Sequence, residues 1–229
     1  MMITVCVMGT RGDVQPAIAL SKGLMQAGHE TRLFTHEVYE PLAREHGIEF
    51  VGFPGDPRDV QVGPVLVEIG AHPVKLVRFI RGVFRPVIAD LFERNLAAAE
   101  GSDLLLVSSL AITGFHVAER LGVPAISIQL QPSTVTREFP GAFVPPLPRR
   151  LPFEGLYNRV ATKLYNQVFF QMLRSLTNEC RRTVLNLPPL GFRYWWSVDS
   201  PRSEIPMIYG RSPAVLPQPA DWGPKLTTK

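Results

Sequence analysis

Residues 2 to 53 read MITVCVMGTRGDVQPAIALSKGLMQAGHETRLFTHEVYEPLAREHGIEFVGF, and their pattern decides the fold. MITVCVM at 2–8 is a near-continuous apolar run that stops at Gly9, the pattern of a parallel strand buried on both faces. A helix follows: Pro16 suits a first helical position, AIALSKGLMQA carries apolar residues on one face, and Gly28 suits the position that ends it. ETRLFT at 30–35 predicts a second strand, 39–46 a second helix closed by Gly47, and IEFVGF at 48–53 a third strand. This βαβαβ order within about fifty residues implies a parallel sheet with right-handed crossovers, a doubly wound, Rossmann-like half.

Outward from that core, 54–72 is rich in Gly and Pro, and 73–100 reads as helix with a kink at Pro86. DLLLV at 103–107 predicts a fourth strand, 112–121 a helix stopped by Gly122, and PAISIQ at 124–129 a fifth strand. A long helix is expected from about 153 to 187, its apolar Leu156, Val160, Leu164, Val168, Met172 and Leu176 recurring every four residues. One short strand, Ile205 to Tyr209, lies near the C-terminal end of the pattern.

At 229 residues, with 45% hydrophobic and 19% charged residues and a mean hydropathy of +0.08, the chain is long enough for one sizeable core. No apolar run reaches the ~18 residues of a membrane-spanning helix, and the N-terminal apolar run passes straight into a charged turn, so the expected location is cytoplasmic. Cys6 and Cys180 stand far apart with no ligand spacing, which points away from a zinc site or disulfide framework. The net charge of +4 is mild and spread out, so nucleic acid is not an expected partner. Proline is the anomaly. Of 22 prolines, 14 fall within 132–152 and 188–224, which predicts two long loops, and compact domains keep such loops mainly for function.

In an open parallel sheet, ligands bind at the carboxyl ends of the strands near the switch point, so chemistry is expected in the loop Gly9-Thr10-Arg11-Gly12-Asp13-Val14-Gln15-Pro16. The loop fails as a dinucleotide fingerprint, being GxxG without a third glycine, and the second strand ends Phe34-Thr35-His36 without an acid. Arg11-Gly12-Asp13 also matches an adhesion tripeptide, which a chain read as cytosolic sets aside. Asp13 has an ordinary reading as a helix N-cap. With Pro16 first in the helix, however, Gln15 would be the cap and Asp13 would be free to point into the crevice.

This octapeptide, followed by AIALSKGLMQAGHETRLFT, closely resembles the N-terminal signature of family 28 glycosyltransferases, the sterol, flavonoid and antibiotic enzymes of the GT-B fold. DLLLVSSLAITGFHVAERLGVPAISIQLQP at 103–132 resembles the family's fourth strand, helix and fifth strand, and 208–217 with Asp221-Trp222 resembles its exit towards the interdomain linker. The resemblance implies an α/β, Rossmann-like N-terminal half of a GT-B transferase. Residues 1–210 would form the acceptor-binding domain and 211–229 the start of the linker. The implied reaction is inverting transfer of a sugar from a nucleotide donor such as a UDP-sugar to a hydroxyl of a lipid, sterol or natural product, with the nucleotide sugar as co-substrate and neither cofactor nor metal. Asp13 would be the general base, Thr10, Arg11 and Gly12 would shape the loop, and Gly12 would allow close backbone approach. Plant relatives pair a histidine base with an aspartate after the fourth strand; Ser108 and Ser109 stand there instead and could hydrogen-bond acceptor.

The family's Gly-rich donor motif has no counterpart in the sequence, so the expected partners are an apolar or lipid acceptor and a donor domain or subunit. On that expectation the chain alone is inactive. The alternative is a non-catalytic acceptor-binding module or one subunit of a bipartite transferase. Phe139, Phe143 and FRYWW at 192–196 could line an acceptor pocket or simply anchor loops. Lys75, Arg78, Arg81 and Arg85 make a basic amphipathic helix that can meet an anionic membrane peripherally, although such helices more often pack on their own domain.

Overall fold

The computed structural model describes residues 1–59, 73–142, 144–147, 153–193, 205–222 and 226–228. Its strands are β1 (Met2–Cys6), β2 (Glu30–His36), β3 (Glu49–Phe53), β4 (Leu104–Ser108), β5 (Ala125–Gln129), β6 (Met207–Tyr209) and β7 (Leu226–Thr228). Its helices are α1 (Arg11–Gln26), α2 (Glu40–Glu45), α3 (Pro73–Phe84), α4 (Ile88–Ala99), α5 (Thr113–Leu121) and α6 (Glu154–Thr183). The residues fall into two compact units, 1–125 with 172–190, and 126–171 with 191–229. The second is built from two separated stretches of chain, and residues 210 and 211 lie together in it.

In the first unit β1 pairs in parallel with both β2 and β4, and β2 with β3, giving the order β3-β2-β1-β4. The register sets Val5 beside Leu33 on one side and Leu106 on the other. Because helices cover a parallel sheet on its faces, its central strand buries side chains in both directions, and Ile3 to Met8 are all buried. The α1 helix buries Val14, Ala17, Ile18 and Ser21, a single stripe at helical spacing. A polar chain threads the core, with Cys6 Sγ 3.4 Å from Asn95 Oδ1 and Asn95 Nδ2 donating to Thr113 Oγ1 at 2.7 Å. The expected kink at Pro86 is a full break: α3 ends at Phe84 and α4 starts at Ile88. Proline at 86 lacks the N–H that a continuous helix would use there. Gly122, at φ +68°, supplies the left-handed residue that ends α5.

In the second unit β6 pairs in parallel with β5 and with β7, a strand the sequence pattern did not reveal. Its core joins Tyr209, Met207 and Trp222, with Phe139 packed against them. Tyr209 and Trp222 stack at 4.8 Å, and the Arg211 guanidinium lies 5.4 Å from both ring centres. The Tyr209 hydroxyl accepts from the Thr134 and Ser133 amides at 3.0 and 3.2 Å, tying the first proline-rich stretch to β6.

The α6 helix runs against expectation in its first half. Leu156, Val160, Leu164 and Val168 are exposed, whereas Met172 and Leu176 are buried. A residue every four positions advances 40° beyond full turns, so from Leu156 to Leu176 the row winds about 200° around a 3.6-residue helix. Over these turns the buried positions are instead Asn158 and Thr162, and Phe170 is buried further along. Thr162 Oγ1 accepts from the Gly141 amide at 2.9 Å, and Asn158 Nδ2 donates to Arg137 O at 3.0 Å.

Candidate functional site

The switch point of the first unit lies between β1 and β4, which are adjacent in the sheet but distant in sequence. Their carboxyl ends are joined directly: the Met8 amide donates to Ser108 Oγ at 3.3 Å. Ser109 follows, exposed to solvent.

The loop leaving β1 is short because α1 begins at Arg11, five residues earlier than Pro16 implies. Thr10 is the N-cap and Asp13 the third helical residue. Asp13 Oδ2 accepts from the Thr10 amide at 2.9 Å and from Thr10 Oγ1 at 3.3 Å, the reciprocal half of a capping box. The expectation of Gln15 as cap with Asp13 free is therefore corrected. Proline's fixed φ is helical and does not by itself mark the first residue, and the N–H missing at Pro16 falls opposite the exposed, first-turn Gly12.

Within the loop the glycine most tightly packed against the chain's own atoms is Gly9, not Gly12. Gly12 is helical and exposed, and a Cβ there would meet Thr10 Oγ1 at 3.7 Å, an ordinary contact. Gly9 holds φ +138°, and a Cβ there would collide with the Asp13 carboxylate. Arg11 is exposed and its Nε donates to Gln15 Oε1 at 3.3 Å.

Around the same edge stand residues that the sequence reading passed over. His36 ends β2, its ring 4.3 Å from Phe53 and its Nδ1 3.0 Å from Gly55 O; burial, the largest influence, lowers its pKa. Tyr39 follows in a single 3₁₀ turn, Glu37–Tyr39. Its phenol is pushed up by burial first and then by the Asp56 carboxylate, with a smaller push from Asp13. Asp56 is itself held down to about 2 by hydrogen bonds from Arg58. The available signal was position, since His36 closes a strand at the same end as the Asp13 loop.

The remaining expected site residues divide. Phe139 meets Trp222 edge-on at 6.1 Å within the second unit and so anchors the proline-rich loop. Phe143 and residues 194–196 of FRYWW lie outside the described residues, while Phe192 is exposed. The Arg81 guanidinium on α3 donates to Ser175 Oγ at 3.0 Å. Among the described residues no group of three His, Cys, Asp or Glu side chains is placed to hold a metal, and no helix is long and apolar enough to cross a membrane.

Comparison with known proteins gives this geometry its context. The chain is 37% identical over 222 residues to the sterol 3-beta-glucosyltransferase of Cryptococcus neoformans var. neoformans serotype D, a match covering 97% of the chain and 13% of that protein. It is 33% identical over 222 residues to the enzyme of the same name from Yarrowia lipolytica, covering 97% of the chain and 15% of the relative. The chain thus spans about a seventh of the length of these curated relatives. In fold it is similar to the Streptomyces sp. SF2575 glycosyltransferase SsfS6 complexed with thymidine diphosphate, at TM-score 0.54 and 22% identity, covering 100% of this chain and 52% of that one. The calicheamicin glycosyltransferase CalG4 matches at TM-score 0.60 and 15% identity, covering 98% and 51%. These likenesses give the Rossmann-like fold of a GT-B N-terminal domain. The glycosyltransferase family 28 N-terminal domain model matches residues 3–140, which include β1, the Asp13 loop and both serines at the end of β4, and the chain therefore belongs to that family.

Proposed function

We propose that this chain is the acceptor-binding domain of an inverting glycosyltransferase, in which Asp13 takes the proton of an acceptor hydroxyl as its oxygen attacks the anomeric carbon of a nucleotide sugar. The observation that carries this reading is a carboxylate held at the switch-point edge by two donors from Thr10. An alcohol is a poor nucleophile, and a carboxylate within hydrogen-bond reach assists as the proton leaves. Because both Thr10 donors engage Oδ2, the other oxygen is left to face the acceptor. Gly9 leaves space for this arrangement.

Ser108 and Ser109 would position the acceptor from the neighbouring strand end, with Arg11 and Gly12 on the opposite rim. The acceptor class is a sterol or another lipid-like alcohol, supported by the names of the relatives. The donor is a nucleotide sugar, supported by the thymidine diphosphate of one structural neighbour, and it would be held by a separate domain to which residues 211–229 lead.

The test joins this chain to a donor domain of the family and follows sterol glucoside formation by mass spectrometry. Asparagine keeps an acceptor for the Thr10 donors but cannot take the proton. Asp13→Asn is thus expected to lower kcat by about 10²- to 10⁴-fold with little change in Tm. Undiminished turnover would remove Asp13 from the mechanism.

A further inference from the structure

The outward face of α6 in the second unit carries Leu156, Val160, Leu164 and Val168, with Phe153 in the turn just before it, and all five are 45 to 63% exposed. From Leu156 to Val168 this row covers about 18 Å of helix. Contiguous apolar surface of this kind is uncommon on soluble monomers and marks a contact site. The inward positions of the same turns hold Asn158 and Thr162, both hydrogen-bonded, so the apolar row is not a core face left open by a helix turned the wrong way.

Two observations bear on what covers it. Along the row, residues 153–168 carry Arg159 and Lys163 against the single carboxylate of Glu154. The charge of the whole chain is also unevenly divided: the second unit holds ten Lys and Arg against five Asp and Glu, while the first holds fourteen against fifteen. The entire positive excess thus belongs to the unit that bears the row. Aliphatic side chains flanked by long cations suit lipid, since the cations can stay at headgroup level while the apolar residues enter the acyl boundary. Protein hot spots favour Trp, Tyr and Arg over Leu and Val, and the row has none of the favoured three.

We infer that the Leu156–Val168 face of α6 docks on an anionic phospholipid bilayer. This goes beyond the transfer reaction and does not depend on Asp13 being its base. It also assigns the membrane contact to a different helix from α3. There the cations are exposed, but Val77, Phe79 and Val83 are half-buried.

The experiment is flotation of the 229-residue chain with vesicles of phosphatidylcholine alone or mixed roughly 3:1 with phosphatidylserine. Binding is expected to be about ten-fold stronger with phosphatidylserine and to weaken in high salt. The double variant Leu156→Ser/Leu164→Ser should lose it about ten-fold and Lys163→Glu several-fold, while Arg78→Glu/Arg85→Glu retains it. Circular dichroism melts confirm that each variant is folded. Absence of vesicle binding, or binding that the serine pair leaves intact, overturns the inference. So does a dimer in sedimentation equilibrium that the serine pair dissolves, which would make a second copy the occupant.

Discussion

At the scale of residues, Asp13 completes the cap of α1 through Oδ2. In the proposed mechanism the same carboxylate would also be the base, so the structural and the catalytic explanation need not be rivals. The octapeptide singled out Asp13 as a candidate in sequence, but not the cap, because a proline fits any of several early helical positions and only backbone geometry selects one. Gly9 was equally hidden: its importance comes from a positive φ and from the carboxylate folded over it, neither of which a one-letter code displays. Gly9→Ala is expected to destabilise the fold by about 1–3 kcal/mol, the usual cost of a strained backbone position. It should also displace Asp13 and reduce transfer. Denaturant unfolding and a turnover assay on the same variant check both effects.

At the scale of elements, strands and helices of the first unit were readable because their apolar patterns match the periods of the structures they form. The α6 helix was only half readable. A spacing of four looks like one face over two turns and becomes a spiral over five, so the buried end and the exposed end belong to one row. Two substitutions on neighbouring positions should then behave oppositely. Thr162→Val leaves the Gly141 amide without its acceptor and should cost about 1–3 kcal/mol. Leu164→Ser, at an exposed position, should change stability by no more than about 0.5 kcal/mol. Urea unfolding of the two variants side by side measures the contrast.

At the scale of the whole molecule, the parallel sheet of the first unit followed from alternation, whereas the second unit rests on contacts between distant segments that no local pattern encodes. Tyr209 reaches back to Thr134, and Asp221 accepts from Thr136 Oγ1 at 2.5 Å. The first unit also carries an acid-sensitive buried group. Arg181, fully buried, forms a two-pronged pair with Glu119 at 2.7 and 2.9 Å and lies 3.1 Å from His116 Nδ1. Burial, followed by the Arg181 charge, lowers the His116 pKa from 6.5 to about 3. The unfolded chain therefore binds a proton below about pH 6.5 that the folded chain refuses until about pH 3, and stability falls as pH drops through that window. His116→Gln, which keeps a hydrogen-bonding side chain without the titration, should flatten the decline of Tm between pH 7 and 5 measured by calorimetry.

The two cysteines give the first unit one more property. Cys6 and Cys180 both lie in it, both are buried, and burial pushes their thiols up to about 12 and about 11. The second unit has no cysteine at all. An alkylating reagent thus meets a thiolate only when the first unit opens, so the protein carries a native chemical clock for breathing in one half and is silent about the other.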